Sequence, residues 1–569
     1  MTLNRWYGKL HGLFIHGSVE RKSPGKSQIA FWTLATLVAM GIALKNFDTF
    51  QLGTYRDDAI YTIIARSILA GGPYGMINLP VVSSTPPFPF GFPLFLVPVL
   101  AIAPNSLDIL KIIPFLATLL NGALLFWGWR WLSRGKSYWW GAALSALYLS
   151  SSLVLAHTHM VMSEPLFTTF CLLAMILTEQ AVSHQENRIW VVWMSLTLTF
   201  VIFTRVIGIV LVGGIFIYLW ITRGKSFWKP FLNILVGMAV VLSLVIALTP
   251  VTLASLFPSR YLASGESYLF VHVDTPKEEP VVNEPVNTTP PSLLSKYIPP
   301  TIIYAFKQHF GFDFRKAVFP VGGGSNELAF GERFGIPNLP LLVGFFVSIL
   351  IFAGFVYSLV NEGVTIFIFF GVSYLAAILI WVWEGPRLLY PVLPQLQYGL
   401  LIGVSAITTW IVSLFSRSFA QTAKQGVLIL GILVLIAAGI IDAWPRDDSF
   451  THVGNLADRT TWIDGNTSTT DVVMTESPEV DYLYSGRKTV PYPGLVNDPA
   501  FLASYMEAMG VKYILVAPQI FWHENDSTLF YSWTTNQLLP TLGQLVSHKQ
   551  LSVVYTSPMD MIEVFELVP

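Results

Sequence analysis

A single cysteine, Cys171, in 569 residues leaves the chain no partner for an internal disulfide. A disulfide-stapled scaffold is therefore excluded, while the compartment stays open. Charge is scarce as well: Asp, Glu, Lys and Arg together make up 12% of the chain, against about 25% in ordinary soluble domains. The formal net charge is −1 and there is no basic block, so nothing points to nucleic acid as a partner. No internal repeat is visible, and no cleavable leader either. The first 28 residues are polar and basic, and the apolar run after them has no small-residue cleavage site, so that run is expected to persist as a helix.

What the chain has in abundance is apolar surface. Hydrophobic residues make up 53% of it, with 40 Phe and 18 Trp, a composition built for lipid. Roughly 20 apolar residues cross the hydrocarbon core as a helix. Such stretches lie near 29–47, 109–132, 138–156, 163–183, 189–205, 207–222, 231–256, 339–360, 364–383, 388–411 and 426–443, eleven in all. An odd number puts the two ends of the chain on opposite sides. Arg5, Lys9, Arg21, Lys22 and Lys26 precede the first stretch, Arg130, Arg134 and Lys136 follow the second, and Arg223, Lys225 and Lys229 follow the sixth. With Arg188, Arg417 and Lys424 they fall on one side of the alternation, which the bias of short loops assigns to the cytoplasm.

The other side then receives the segment 48–108, the loop 257–338 and the tail from about 444 to 569. Within the loop, 274–292 is rich in Pro, Glu, Val and Asn without apolar period, and reads as mobile. In the tail, "DVVMTE", "KYILVAP" and "LSVVYTS" are short β-branched runs. "PAFLASYMEAMG" between them has a helical period ending at a glycine. The expected organisation is a membrane domain over 1–443 followed by a small extracytoplasmic α/β domain over 444–569. Residues 88–104, short and broken by prolines, read as a re-entrant or interfacial piece on the outer side.

Ionisable residues gather at the outer ends of these stretches. Asp57 and Asp58 open an expected helix over about 57–70 that ends at Gly71-Gly72. One reading is capping, since acids suit a helix N-terminus; the other is chemistry. Adjacent helical residues point about 100° apart, so at most one of the two can aim into a cleft. Tyr61 and Ala65 share the face of Asp57. His157, His159 and Glu164 bracket the turn between the third and fourth stretches, where Glu164 is either a first-turn acid or a site residue. Two histidines and carboxylates could hold a divalent metal, although the His-Thr-His spacing alone is a weak signal. Arg205 ends the fifth stretch and Arg387 opens the tenth; each either snorkels to the interface or binds an anion. Carboxylates act as bases or metal ligands and arginines favour phosphate oxygens, a set suited to a reaction on a lipid phosphate at the membrane surface. A lipid or sugar transporter is the competing class, but repeats and midplane charges are its usual marks.

Five motifs in order, "YRDDAIYTIIARSILAGGPYG", "PPFPFGFPLFL", "HMVMSEPLFTTFCLLA", "FTRVIGIVLV" and "GPRLLYPVLP", resemble the multi-spanning GT-C glycosyltransferases. The likeness covers about 50–440 and is nearest to bacterial relatives of the protein O-mannosyltransferases and of the aminoarabinosyl transferase that modifies lipid A. It implies a bacterial cytoplasmic membrane, a polyprenyl-phosphate-sugar donor and inverting transfer to a lipid, glycan or protein acceptor. It also implies roles: Asp57, with Asp58 beside it, as the catalytic carboxylates, Asp57 being the base or acceptor-orienting group; Glu164 as the acid of the second outer loop; Arg387, helped by Arg205, as clamp on the donor phosphate. Glu164 and His159 are the supporting residues and the candidate metal ligands. Where many relatives read Pro-Pro-Gly or Lys-Pro-Pro, this chain has "TPPFPFGFP", which leaves the acceptor open.

Overall fold

The computed structural model describes residues 23–72, 74–81, 88–133, 137–183, 188–252, 304, 306–319, 339–379, 385–444, 456–493, 496–523, 526–530, 532–557 and 561–568. The segment 274–292, most of the loop 257–338 and the basic residues Arg5, Lys9, Arg21, Lys22, Arg134 and Lys136 lie outside the described residues.

Among the described residues, each of the eleven apolar stretches carries a helix. Lys26–Lys45, Ile112–Trp127, Tyr138–Ser150, Glu164–Ser183, Arg188–Thr204, Gly208–Arg223, Trp228–Leu248, Leu339–Glu362, Ile366–Ile378, Leu393–Phe415 and Arg417–Ala443 follow in order. Among the described residues, seven helices are long and apolar enough to cross a membrane. Gly91–Ile102, Arg188–Thr204, Gly208–Arg223 and Ile366–Ile378 are shorter apolar helices. The chain is a multi-pass, mostly helical membrane protein.

Three stretches expected to be continuous are not. The one over 138–156 breaks at Ser151, whose ψ of 130° is extended, before a short helix Ser152–His157. Gly439 of the last membrane helix packs there so closely that a Cβ on it would land on the Ser150 carbonyl. The stretch over 109–132 is interrupted at Gly128, where a Cβ would strike Ile176 of the neighbouring helix. The tenth stretch starts as a 3-10 helix, Pro386–Val392, before turning α-helical at Leu393. Pro391 and Pro394 lack the N–H groups that an α-helix begun at Pro386 would bond to the carbonyls of Arg387 and Tyr390, whereas Pro394 is tolerated in the first turn of the helix that starts at Leu393.

Small residues set the tightest packing. A Cβ on Gly354 would meet the Gly399 carbonyl, and one on Gly403 the Leu350 carbonyl. Leu339–Glu362 and Leu393–Phe415 therefore lie backbone to backbone, the close approach that a Gly-x-x-x-Gly spacing permits.

The C-terminal stretch carries a sheet of β1 (Val472–Thr475), β2 (Lys488–Val490), β3 (Val511–Val516), β6 (Leu551–Ser557) and β7 (Ile562–Leu567) in the order β2-β1-β3-β7-β6. β1 runs parallel to β2 and β3, and β7 antiparallel to β3 and β6. A separate hairpin pairs β4 (Gln519–His523) with β5 (Asp526–Phe530). Alternation divides the faces of the sheet. Met474, Ile514, Val516 and Phe565 pack with Leu502, Met506, Leu538 and Leu542 of helices Pro499–Met509 and Trp533–Ser547. Val473, Leu515 and Val564 pack with Trp462 and Ile463 of helix Leu456–Asn466 on the opposite face. The helix Pro499–Met509 ends at Gly510, whose φ of 63° favours glycine.

Between this sheet and the membrane helices lies helix Asp57–Leu69, buried along most of its length. Ala59, Ile60, Ile63 and Ile64 share one apolar cluster with Phe92 and Leu96 of Gly91–Ile102 and with Val480 and Leu483 of helix Pro478–Ser485. Burying each of the isoleucines, leucines and valines contributes about 1.5–3 kcal/mol, enough to hold the helix that carries the two aspartates.

Candidate active site

Asp57 is the first residue of its helix, and its carboxylate is 26% exposed. Arg387 at the mouth of the 3-10 helix Pro386–Val392 donates from Nη2 to Asp57 Oδ2 at 2.9 Å. The same guanidinium places Nε 3.1 Å from Glu164 Oε1. Arg205, one residue past the end of helix Arg188–Thr204, places Nη1 2.6 Å from that same oxygen. Segments separated by as many as 330 positions thus meet in one cluster of two carboxylates and two guanidinium groups.

Burial makes the cluster consequential. Glu164 is 1% exposed, and an ion taken out of water costs several kcal/mol unless it is paired. Two arginines supply that pairing and are oriented by it in return. Glu164 Oε2 has no hydrogen-bond partner among the described residues. Arg387, 37% exposed, uses Nε and Nη2 on the two acids. Burial raises the carboxyl of Asp57 above the ordinary Asp value, with the Arg387 charge opposing the rise. A carboxylate so placed is somewhat more basic than usual and lies next to an anion-binding fork.

The second motif forms a wall of the site. Tyr61, one turn after Asp57, packs against Phe88 and Phe92 at ring distances of 4.6 and 4.9 Å. Its hydroxyl lies 3.1 Å from Ser163 Oγ, which also accepts from Arg205 Nη1 at 3.3 Å. Ser163 carries no signal of its own in the sequence beyond its position before Glu164. A Cβ on Gly91 would strike the Phe203 carbonyl, so the close approach at Gly91 sets the distance between this wall and the end of the Arg205 helix.

The other expected residues lie apart from the pair. Asp58 points away from Arg387: Oδ2 accepts from Gly53 N at 2.7 Å and Oδ1 from Ala59 N at 2.9 Å, and the residue is fully buried. Burial pushes its carboxyl up to about 7, against the pull of those two N–H groups. The His159 ring lies against Phe50 at 6.2 Å, and burial together with the Lys111 charge lowers it to about 4. His157 rests on Tyr390 with ring centres 4.8 Å apart, and its Nδ1 lies 2.7 Å from the Leu153 carbonyl. A carbonyl only accepts, so Nδ1 carries the proton.

These contacts also bear on a metal. Among the described residues no three His, Cys, Asp or Glu side chains converge to hold one. Asp57 and Glu164 are joined through a guanidinium that occupies the place a cation would take. As they stand, the described residues do not form a metal site.

No family model matches the chain, and no curated protein matches its sequence. Solved structures do match. ArnT from Cupriavidus metallidurans in the apo state is 12% identical with a TM-score of 0.54, the match covering 95% of this chain and 99% of that one. The same protein bound to undecaprenyl phosphate matches with a TM-score of 0.50. The archaeal oligosaccharyltransferase AglB from Archaeoglobus fulgidus, in complex with an inhibitory peptide and a dolichol-phosphate, is 10% identical with a TM-score of 0.52, covering 94% of this chain and 80% of that one. A structure of the Archaeoglobus fulgidus oligosaccharyltransferase in complex with Zn and sulfate also matches, with a TM-score of 0.50. At such identities the likeness speaks for the fold, and it extends over nearly the whole chain: the protein has the GT-C fold.

Proposed function

We propose that the protein is a membrane glycosyltransferase that moves a sugar from a polyprenyl-phosphate donor to an acceptor on the outer face of the cytoplasmic membrane. The observation that carries this reading is the Asp57–Arg387–Glu164–Arg205 cluster, in which a partly exposed carboxylate adjoins a guanidinium held by a buried acid. Two of the similar structures hold a lipid phosphate, undecaprenyl phosphate in ArnT and dolichol-phosphate in AglB, which supports the same ligand class here.

The transfer needs few parts. The bond from the sugar's anomeric carbon to the phosphate oxygen breaks, and its electron pair leaves with the phosphate. Arg387, with Arg205 behind it, stabilises that charge where it develops. Asp57 takes the proton of the acceptor hydroxyl as the new bond forms on the opposite face of the anomeric carbon, which inverts its configuration. Glu164 keeps both guanidinium groups aimed before the donor arrives, so little reorganisation accompanies the reaction. Asp58 supports the backbone beneath Asp57. The acceptor class, whether lipid, glycan or protein, follows from mass analysis of glycolipids and glycoproteins from cells with and without the gene.

The test is transfer and donor binding by purified variants in nanodiscs, using lipid phosphate sugars. Asp57→Asn should lose at least about 100-fold in turnover, the scale of a general base, while still inserting. Arg387→Lys should keep part of the activity, whereas Arg387→Ala should nearly abolish it and weaken donor binding, because lysine keeps the charge and loses the fork. Wild-type activity in Asp57→Asn would overturn the reading. So would a protein that moves the lipid across a vesicle without transferring its sugar. A chelator arm separates the guanidinium from a bound cation: activity that survives EDTA supports Arg387 as the counter-charge. Loss restored by a divalent ion would assign Asp57 and Glu164 as its ligands.

A further inference from the structure

Arg56, the residue before Asp57, has φ of 63° and ψ of −41°. The Asp57 N–H donates to the Tyr55 carbonyl at 2.6 Å. Together these features define a γ-turn of the rare, strained hand, centred on a non-glycine residue. Strain of this kind persists only where surrounding contacts over-determine it.

The contact that does so comes from more than 400 positions away. Glu479 accepts from Arg56 Nε at 2.8 Å through Oε2 and from Nη2 at 3.2 Å through Oε1, a two-pronged pair with Glu479 only 11% exposed. Glu479 lies in the first turn of Pro478–Ser485, and that helix is itself braced to the sheet. Asp481 Oδ2 accepts from Thr475 Oγ1 of β1 at 2.6 Å, and Arg459 Nη2 lies 3.1 Å from Asp481 Oδ1. Around the clamp, the same C-terminal stretch seals onto the outer segment. The Tyr484 hydroxyl donates to the Leu52 carbonyl at 2.9 Å, and Thr489 N donates to the Asn78 carbonyl at 2.8 Å. Lys488 Nζ donates to the Ile77 carbonyl at 2.6 Å. Val480 and Leu483 belong to the apolar cluster of helix Asp57–Leu69.

We infer that Glu479 is a positioning residue for transfer: by clamping the Arg56 turn, the C-terminal α/β region aims the Asp57 carboxylate at Arg387 and the acceptor. This rests on the reading of Asp57 as the base. Two features of the geometry support it over simple adhesion between two parts of the chain. The Lys488, Thr489 and Tyr484 contacts already hold the surfaces together through backbone carbonyls. Glu479 alone among these acts on the residue joined to Asp57 by a peptide bond, where a displacement of about 1 Å can cost as much as 100-fold in rate.

The experiment measures turnover, donor affinity and thermal midpoint for wild type, Glu479→Ala, Asp57→Asn and the double variant, as full chains in nanodiscs. Glu479→Ala is expected to lower kcat by about ten- to a hundred-fold with donor affinity retained, and Glu479→Gln to lose less. In the Asp57→Asn background the further loss should be within about two-fold, because a residue acting only through Asp57 has nothing left to aim. Equal losses in both backgrounds, or a fall in donor affinity parallel to kcat, would make Glu479 a general structural contact and overturn the inference. A Glu479→Ala protein as fast as wild type, beside an impaired Asp57→Asn, would overturn the clamp alone. Full turnover in Asp57→Asn would overturn the assignment of the base and the clamp with it.

Discussion

Asp57 and Asp58 are neighbours in sequence with opposite environments. The 100° step of a helix sends one carboxylate to Arg387 and the other to the N–H groups of Gly53 and Ala59. For Asp58 the consequence is a dependence of stability on pH. Its carboxyl stands at about 7, above the ordinary Asp value of about 3.9, so the folded chain holds this proton more tightly than the unfolded one. The stabilisation from that proton is complete below about 4 and is lost as pH rises through about 7. Asp58→Asn cannot titrate. A plot of the difference in thermal midpoint between wild type and Asp58→Asn should slope across that window and flatten outside it. A flat difference from acid to neutral pH would mean that Asp58 is ionised throughout. Helix geometry limited the pair to one site-facing member and the resemblance pointed to Asp57, but the direction of each side chain depends on where Arg387 and the 50–54 turn lie.

At the scale of elements, the bundle relies on glycines where helices touch. Gly399 and Gly403 are spaced four apart on Leu393–Phe415 and face Gly354 and Leu350 of Leu339–Glu362. Gly403→Leu would drive a side chain into the Leu350 carbonyl. The expected cost is about 1–3 kcal/mol for an overpacked contact, read as a lower thermal midpoint in nanodiscs. Gly213→Ala is the control: nothing lies within 4 Å of the added Cβ, so the variant should match or exceed wild type, since alanine favours helix by about 1 kcal/mol. A Gly403→Leu protein as stable as the control would mean that the two helices can separate without loss. Helix existence was legible from apolar length alone. The breaks at Ser151 and Gly128 were not, because each lies where a distant helix presses on the backbone.

For the whole molecule, orientation governs whether the cluster can meet a donor on the outer face. Basic residues between the apolar stretches, Arg188, Arg223, Lys229 and Lys424 among them, fall on the side opposite to Asp57, Glu164 and Arg387 in the expected alternation of spans. A reporter active only outside the cytoplasm, fused after Pro569, should therefore be active, and a reporter active only inside should be silent there. The reverse result would put the Asp57 cluster on the cytoplasmic side and remove an outer-face reaction. Mapping with fusions after each loop would also count the crossings, a number that short helices such as Ile366–Ile378 make hard to read from length.

By itself the sequence determined the class of protein, its apolar helices, the strands over 472–475, 511–516 and 551–557, and the list of ionisable residues at the helix ends, because apolar length, β-branched runs and charge placement are local properties. The motif order also led to the GT-C fold. Only the tertiary structure decided which of the listed residues touch. Asp57, Glu164 and Arg387 share one guanidinium across 330 positions, whereas His159 is turned to Phe50 and Asp58 to its own backbone. The link from Glu479 to Arg56 had no trace in the sequence either. An ion pair between distant segments leaves no periodicity in either one, and its geometry exists only once helix Pro478–Ser485 has docked on helix Asp57–Leu69.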